Sequence, residues 1–448
     1  AGRMFFWTTF FVFWVLVAGH YSDLVLDSGE EWRWIKFVGP RIHVNVSLVL
    51  WGMAPFTALA TGVWLIVYWL VVLRRNVGRL LVSFFVPLGL YAAIFAHLYM
   101  AGGVGGLHTT AAIEAQPGVE RVFGIEQIES GMTQRNHPRD VCVDTERNVL
   151  FASFGCTFCP SAVRYPTLIR YDLTTKQSQW FVSGPIREFD CPADTDFVLL
   201  APWQDNKIFV LHRDDLKILQ SITPPYETEM DIWEPMGIVL DRVNNRIVVV
   251  NDVEPAVVAV EASTGRWIGA RNLWREGLTG YGVAAQTLVQ DVPGGPVYFA
   301  GGYGENLFQV DPKTLEILNH MPLDDAAGTA IAVDTPGDRL YYQASLHDTI
   351  SEVRLSTFSV VRELEGERFA RGLAVDKERN VLYVLGYFSG TLYPIDLTTG
   401  ERGPWTLHVG GRPNSLDLRD GKVWVNSMAG VLGIDLAEVW AAHAEGRL

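Results

Sequence analysis

Four cysteines in 448 residues are too few for a disulfide-built scaffold, and all four fall between positions 142 and 191. No GxSxG, HExxH or GxxxxGK[ST] run occurs, so no local signature marks a serine hydrolase, a zinc protease or a phosphate loop. CxxCH is also missing, which removes covalent haem attachment. Bases are scarce: 36 Lys and Arg stand against 50 acids, a net charge of −14. Phosphate backbones need clustered cations, so nucleic acid is excluded as a partner.

Charge is nearly absent from three stretches. Residues 1–110 hold four acids and seven Lys or Arg, and the remaining chain holds 46 acids and 29 bases. Within the first part lie apolar runs at about 4–21, 46–73 and 80–101. The second run has 28 residues without a charge, enough to cross a bilayer with tilt. The first, which comes after Arg3, also fits a signal peptide, but two further runs succeed it and favour a retained helix. Three transmembrane helices are therefore expected over residues 1–101. Arg74, Arg75 and Arg79 in the link between the second and third runs place that link and the N-terminus in the cytoplasm. Everything after Ala101 is then extracytoplasmic, in a bacterial inner membrane on the periplasmic side. GGVGGLHTTAAIEAQPG (102–118) reads as a flexible or extended linker.

The chain beyond the linker is repetitive. LAVDKERNVLYVLGYFSGTLYPIDLTTGE (373–401) alternates strand runs rich in β-branched and aromatic residues with polar turns. Its first half recurs as IAVDTPGDRLYYQAS, IVLDRVNNRIVVVND, VCVDTERNVLFASFG and LVQDVPGGPVYFAGG, and in shortened form as LDLRDGKVWVNSM. Its second half recurs as LIRYDLTTKQ, LFQVDPKTLE and VAVEASTGRW. Residues 196–219 form a further copy whose first strand is eroded. Marking the units at Asp144, Asp190, Asp241, Asp291, Asp334, Asp376 and Asp417 gives spacings of 46, 51, 50, 43, 42 and 41. Seven all-β units of that length predict a seven-bladed β-propeller over residues 119–440, with four strands per blade. The last unit lacks one strand. Residues 119–128 (VERVFGIEQI) are expected to supply it, because an open sheet edge is a pairing hazard. The C-terminal stretch AEVWAAHAEGRL is a helical tail, with 441–448 outside the ring.

These repeats resemble the YVTN/YncE-like class of seven-bladed propellers, with its xVD…N.LYV…..G.L..ID..TG pattern. The resemblance implies the fold and a binding or scaffolding role, since the class shares no catalytic set. It does not reach the membrane segment.

Candidate site residues are few. Cys142, Cys156, Cys159 and Cys191 are disulfide candidates in an oxidising compartment. The preferred pairing is Cys156 with Cys159 and Cys142 with Cys191. Free thiols and a four-thiolate metal site remain open. His97 is the titratable group of the third apolar run, and an AxxxH spacing from Ala93 leaves room on one helix face for a pigment or haem macrocycle. An interfacial histidine is the plainer reading. No catalytic residue and no metal site can be named, and the cofactor is open.

The expected function is a non-catalytic accessory or scaffold subunit of a larger membrane protein complex. Three helices give more apolar surface than one anchor needs, so membrane protein subunits and the lipid bilayer are the expected partners. The alternatives are a lactonase- or lyase-like enzyme with a site in the propeller channel, and a subunit of a pigment- or haem-containing energy-converting complex.

Overall fold

A computed structural model describes residues 110–124, 136–156, 165–184, 186, 188–192, 194–202, 205, 207–223, 235–251, 255–279, 285–301, 306–323, 328–344, 348–367, 370–387 and 389–448. The three apolar runs expected to span a membrane, and His97, lie outside the described residues. Among the described residues no helix is long and apolar enough to cross a membrane. All of them belong to one compact unit, Val104–Leu448.

A helical turn, α1 (Thr110–Glu114), leads into β1 (Val119–Phe123). Blade one comes next as β2 (Asn136–Asp144), β3 (Val149–Cys156), β4 (Tyr165–Asp172) and β5 (Ser178–Ser183). Blade two is β6 (Phe189–Asp190), β7 (Phe197–Leu200), β8 (Ile208–His212) and β9 (Ile218–Ile222). Blade three is β10 (Pro235–Asp241), β11 (Arg246–Asn251), β12 (Ala256–Glu261) and β13 (Trp267–Asn272). Blade four is β14 (Ala285–Val289), β15 (Val297–Gly301), β16 (Asn306–Val310) and β17 (Ile317–Pro322). Blade five is β18 (Gly328–Asp334), β19 (Arg339–Ala344), β20 (Thr349–Arg354) and β21 (Ser359–Glu365). Blade six is β22 (Ala370–Asp376), β23 (Val381–Gly386), β24 (Thr391–Asp396) and β25 (Leu407–His408). Blade seven holds β26 (Ser415–Arg419), β27 (Lys422–Ser427) and β28 (Gly430–Asp435), and α2 (Leu436–Ala444) ends the chain.

Each blade is a four-stranded sheet, and the seventh is completed by β1 on β28. That pairing is antiparallel, from Val119 opposite Ile434 to Phe123 opposite Val431. The start of the chain therefore lends the last blade a strand, and the ring closes without a seam of unpaired backbone. The strand is Val119–Phe123, the first half of the stretch expected from the sequence.

First strands pack side by side around a common axis: β6 on β10, β10 on β14, β14 on β18, β18 on β22, β22 on β26 and β26 on β2. Both faces of a blade are thus covered by its neighbours. That is why β23 (VLYVLG) is apolar and buried at every position rather than alternating. The clusters lie between blades. Val141, Val143 and Leu150 of blade one pack on Trp424 and Val431 of blade seven and on Phe123 of β1. Cys142, Phe151 and Leu168 pack on Phe189, Val198 and Phe209 of blade two.

The turns between first and second strands, and between third and fourth, share one face. The Asn of the TERN, VNN and KERN runs explains their contact. Asn148, Asn245 and Asn380 each sit at φ 54°, a left-handed position that Asn tolerates. Their side-chain amides donate to Thr174 Oγ1 (2.7 Å), Ser263 Oγ (2.8 Å) and Thr398 Oγ1 (2.9 Å) of the neighbouring turn.

Two sequence expectations are corrected. The linker ends earlier than residue 118. Ile113 is buried with Trp405, Leu407 and Val439, and Gln116 exchanges two hydrogen bonds with the backbone of His408, at 2.7 and 2.8 Å. A buried side chain and paired amide hold residues 110–118 on the propeller. The repeat marks also differ in register. Asp144, Asp241, Asp334 and Asp376 end their first strands opposite the first residue of the second strand. Asp190 pairs with Leu199 and Asp417 with Trp424, the level held by Cys142 opposite Phe151. Those two aspartates lie deeper, because the turns after them are built differently.

Candidate functional site at the blade seams

The charged side chains of the first strands meet where blades seven, one and two adjoin. Asp140 stands near the start of β2, beside a β-bulge between Pro138 and Val141. Bulges occur at the same level in β10, β14, β18 and β22. A bulge re-aims side chains and is a common device near sites. Asp140 Oδ1 accepts from Ser415 Oγ of blade seven (2.6 Å) and from its neighbour's Val141 N–H (2.9 Å). Its Oδ2 accepts from Phe189 N–H of blade two (3.3 Å). One carboxylate therefore ties three blades. Loss of solvent raises its pKa to about 6, against the lowering effect of those hydrogen bonds.

Asp417 and Asp190 repeat the device one level nearer the turns. Asp417 Oδ2 accepts from Val143 N–H at 3.0 Å, joining blade seven to blade one. Asp190 Oδ2 accepts from Leu240 N–H at 2.7 Å, joining blade two to blade three. Burial raises both, Asp190 to about 6, although Arg419 lies near enough to oppose each shift. Arg419 binds Asp417 at 3.0 Å and places Nη2 3.6 Å from Cys142 Sγ.

Cys142 and Cys191 form a disulfide, with Cα atoms 6.4 Å apart, between β2 and the turn after β6. Cys156 ends β3 opposite Asn136, at the other end of the blade from Cys142, and Cys159 lies outside the described residues. With Cys142 and Cys191 bonded to each other, the four-thiolate metal site has no support. Among the described residues no cluster of His, Cys, Asp or Glu has the makings of a metal site.

Glu188 reaches past a neighbouring blade. Its Oε2 accepts from Leu288 N–H of blade four (3.3 Å), passing blade three at Gly237. A Cβ on Gly237 would lie 3.1 Å from that oxygen and 2.7 Å from the Leu288 Cβ, so only glycine leaves the path open. Across the ring, Lys377 of blade six binds Asp291 of blade four (3.2 Å) and Asp334 of blade five (3.1 Å). Asp291 also accepts from Thr335 N–H at 2.8 Å.

Sequence reading missed Asp140, Glu188, Arg213 and Arg419. A signal for Asp140 was present. Aligned on the closing aspartate, the repeats place Gly237, Ala330 and Gly372 where blade one has Asp140. An acid among small residues at one register position is a departure worth reading. Glu188 and Arg213 had no such signal, because blade two is the eroded repeat.

Chemically, these carboxylates behave as interblade acceptors. Every one named here receives a backbone N–H, a hydroxyl or a cation from another blade. The chain matches no family model and no curated relative.

Proposed function

We propose that this chain is a non-catalytic accessory or scaffold subunit of a membrane protein complex. Three transmembrane helices (about 4–21, 46–73 and 80–101) anchor it, and the propeller stands outside the cytoplasm, on the periplasmic side of a bacterial inner membrane. The observation that carries this reading is the use made of these interblade charges. Asp140, Asp190, Asp417, Glu188 and Lys377 all hold one blade to another. A rigid closed ring built in this way suits presentation of a surface to partners. The Cys142–Cys191 bridge supports an oxidising compartment, which agrees with an extracytoplasmic propeller. The resemblance to YVTN/YncE-like propellers points the same way.

One observation favours the second reading, an enzyme with a channel site. Asp140 and Asp190, in adjacent blades, are both raised to about 6, in the range that suits proton transfer near neutrality. Purification in mild detergent through a tag on the propeller, with mass spectrometry and an absorption spectrum of the same sample, separates the readings. Membrane proteins co-purifying in fixed ratio support the subunit. Visible absorbance that His97→Leu abolishes assigns the chain to a pigment- or haem-containing complex. A colourless protein alone overturns the subunit reading and brings the enzyme forward.

A further inference from the structure

The first strand of blade two is held differently from the other six. β6 has two residues, Phe189 and Asp190, where the other first strands have five to nine. It pairs with β7 only at Phe189 opposite Leu200 and Asp190 opposite Leu199. Its ties to other blades therefore carry more of the load, and they concentrate in Glu188–Pro192. Phe189 N–H donates to Asp140 Oδ2 of blade one at 3.3 Å. Asp190 Oδ2 accepts from Leu240 N–H of blade three at 2.7 Å, and Glu188 Oε2 from Leu288 N–H of blade four at 3.3 Å. Cys191 is bonded to Cys142 of blade one, and Pro192 O accepts from Arg213. Carboxyls and one disulfide thus fasten this short segment. Its apolar contribution to the seam between blades one and two is Phe189 and Cys191.

Shielded carboxylates elsewhere in the ring are matched by cations: Asp144 by Arg213, and Glu352 by Arg339 and Arg362. Among the described residues neither Asp140 nor Asp190 has a Lys, Arg or His within ion-pair distance. Their partners are N–H groups and one hydroxyl. Arg139 precedes Asp140 in β2. Ser153 of β3 and Ser415 and Asn426 of blade seven pack on Asp140, and the nearby charge of Asp417 reinforces the rise caused by burial. Glu188 lies two positions before Asp190. Arg419, Arg213 and Arg242 act on Asp190 from blades seven, two and three in the lowering sense, and the loss of solvent outweighs them. Both carboxyls hold their proton more tightly in the closed ring than in water, so their hold is strongest in acid and weakens as pH rises through about 6. Each carboxyl that opening frees to solvent changes the opening equilibrium by about tenfold between pH 5 and pH 7. The disulfide does not titrate, and it holds Cys191 at either pH.

We propose that Glu188–Pro192 is a latch with two controls: the Cys142–Cys191 bridge keeps β6 in the ring, and once a dithiol has reduced that bridge, ionisation of Asp140 and Asp190 releases the strand. Reduction moves two electrons and two protons from the dithiol to the bridge. The Sγ–Sγ bond breaks, two thiols form, and the dithiol becomes a disulfide. The test is amide hydrogen exchange of the full chain in mild detergent at pH 5 and pH 7, with each rate divided by its intrinsic value at that pH. Peptides covering Glu188–Pro192 and Leu240 report on the latch, and β23 is the reference. The bridged parent should stay protected at both pH values. The Cys142→Ala, Cys191→Ala variant should stay protected at pH 5 and lose protection at Glu188–Pro192 and Leu240 by about tenfold or more at pH 7, with β23 unchanged. Adding Asp140→Asn and Asp190→Asn should remove the pH dependence. Should the cysteine variant fail to fold, the parent reduced by dithiothreitol takes its place. Equal protection at the two pH values without the bridge overturns the latch. So does an equal loss in β23, which means that the whole ring weakens. Loss in the bridged parent overturns the part given to the disulfide, and unfolding of both bridge-free forms overturns the latch outright, since it requires a ring that outlasts the bridge.

Discussion

Arg213, on the third turn of blade two, donates through its guanidinium to Asp144, which closes the first strand of blade one. The same guanidinium donates to Pro192 O, Thr195 Oγ1 and Phe197 O, and lies 5.7 Å from the centre of the Phe151 ring. Both partners are shielded, with side chains 1% and 5% exposed. One cation thus compensates for the short first strand of blade two: β6 has only two residues, and the long turn after it is organised by Arg213.

Arg213→Met should therefore be strongly destabilising. Removing one partner of a buried pair takes a donor from a shielded carboxylate and leaves two carbonyls without the guanidinium, which costs about 3–5 kcal/mol. Thermal or denaturant unfolding of the full chain in detergent measures it. A loss as small as that of an exposed substitution would show that Asp144 is served by Arg147, 3.1 Å away, alone.

Reduction of the Cys142–Cys191 bridge should lower the melting temperature. The bond closes a loop with a sequence separation of 49 around blade one. The chain-entropy account assigns a loop of that size about 4 kcal/mol. The Cys142→Ala, Cys191→Ala double variant should match the reduced parent. An unchanged melting temperature on reduction would mean the bridge does not constrain the unfolded chain.

Stability should fall as pH rises through the acid range at Asp140 and Asp190. Both carboxyls titrate near 6 in the fold, above the unfolded value of 3.8, so the folded state binds more protons between those values. Their contribution is fully present below about pH 4 and is lost as pH rises through about 6. Against the parent, Asp140→Asn and Asp190→Asn should each gain relative stability between pH 4 and 7. Parallel melting curves for parent and variants across that range would refute the shift.

Gly430→Ala should loosen the closing strand. Gly430 has φ 112°, and a Cβ there would lie 2.0 Å from Phe123 O in β1. Backbone strain at such a position costs about 1–3 kcal/mol, and displacement of β1 adds to it. Faster amide exchange in Val119–Phe123 than in β27 or β28 is the expected signature. Unchanged exchange in β1 would show that the pairing tolerates the shift.

Strand content and repeat number were legible in the sequence because both are local. A run such as VLYVLGY needs two covered faces, the Asn in KERN needs a left-handed turn, and the recurrence of both counts the blades. Closure by β1 was also legible, as a missing strand at one end and a spare one at the other. The interblade acids were not. Asp140 acts through Ser415, 275 positions away, and Glu188 through Leu288, 100 positions away, and local patterning cannot register bonds between strands so far apart in the chain. By itself the sequence determined the blade, its repetition and the apolar N-terminal runs, since these derive from side-chain periodicity and charge. Only the tertiary structure decided which blades exchange hydrogen bonds and that Cys142 meets Cys191. Those are relations between repeats, fixed when the ring closes and brings distant positions to the same level around one axis.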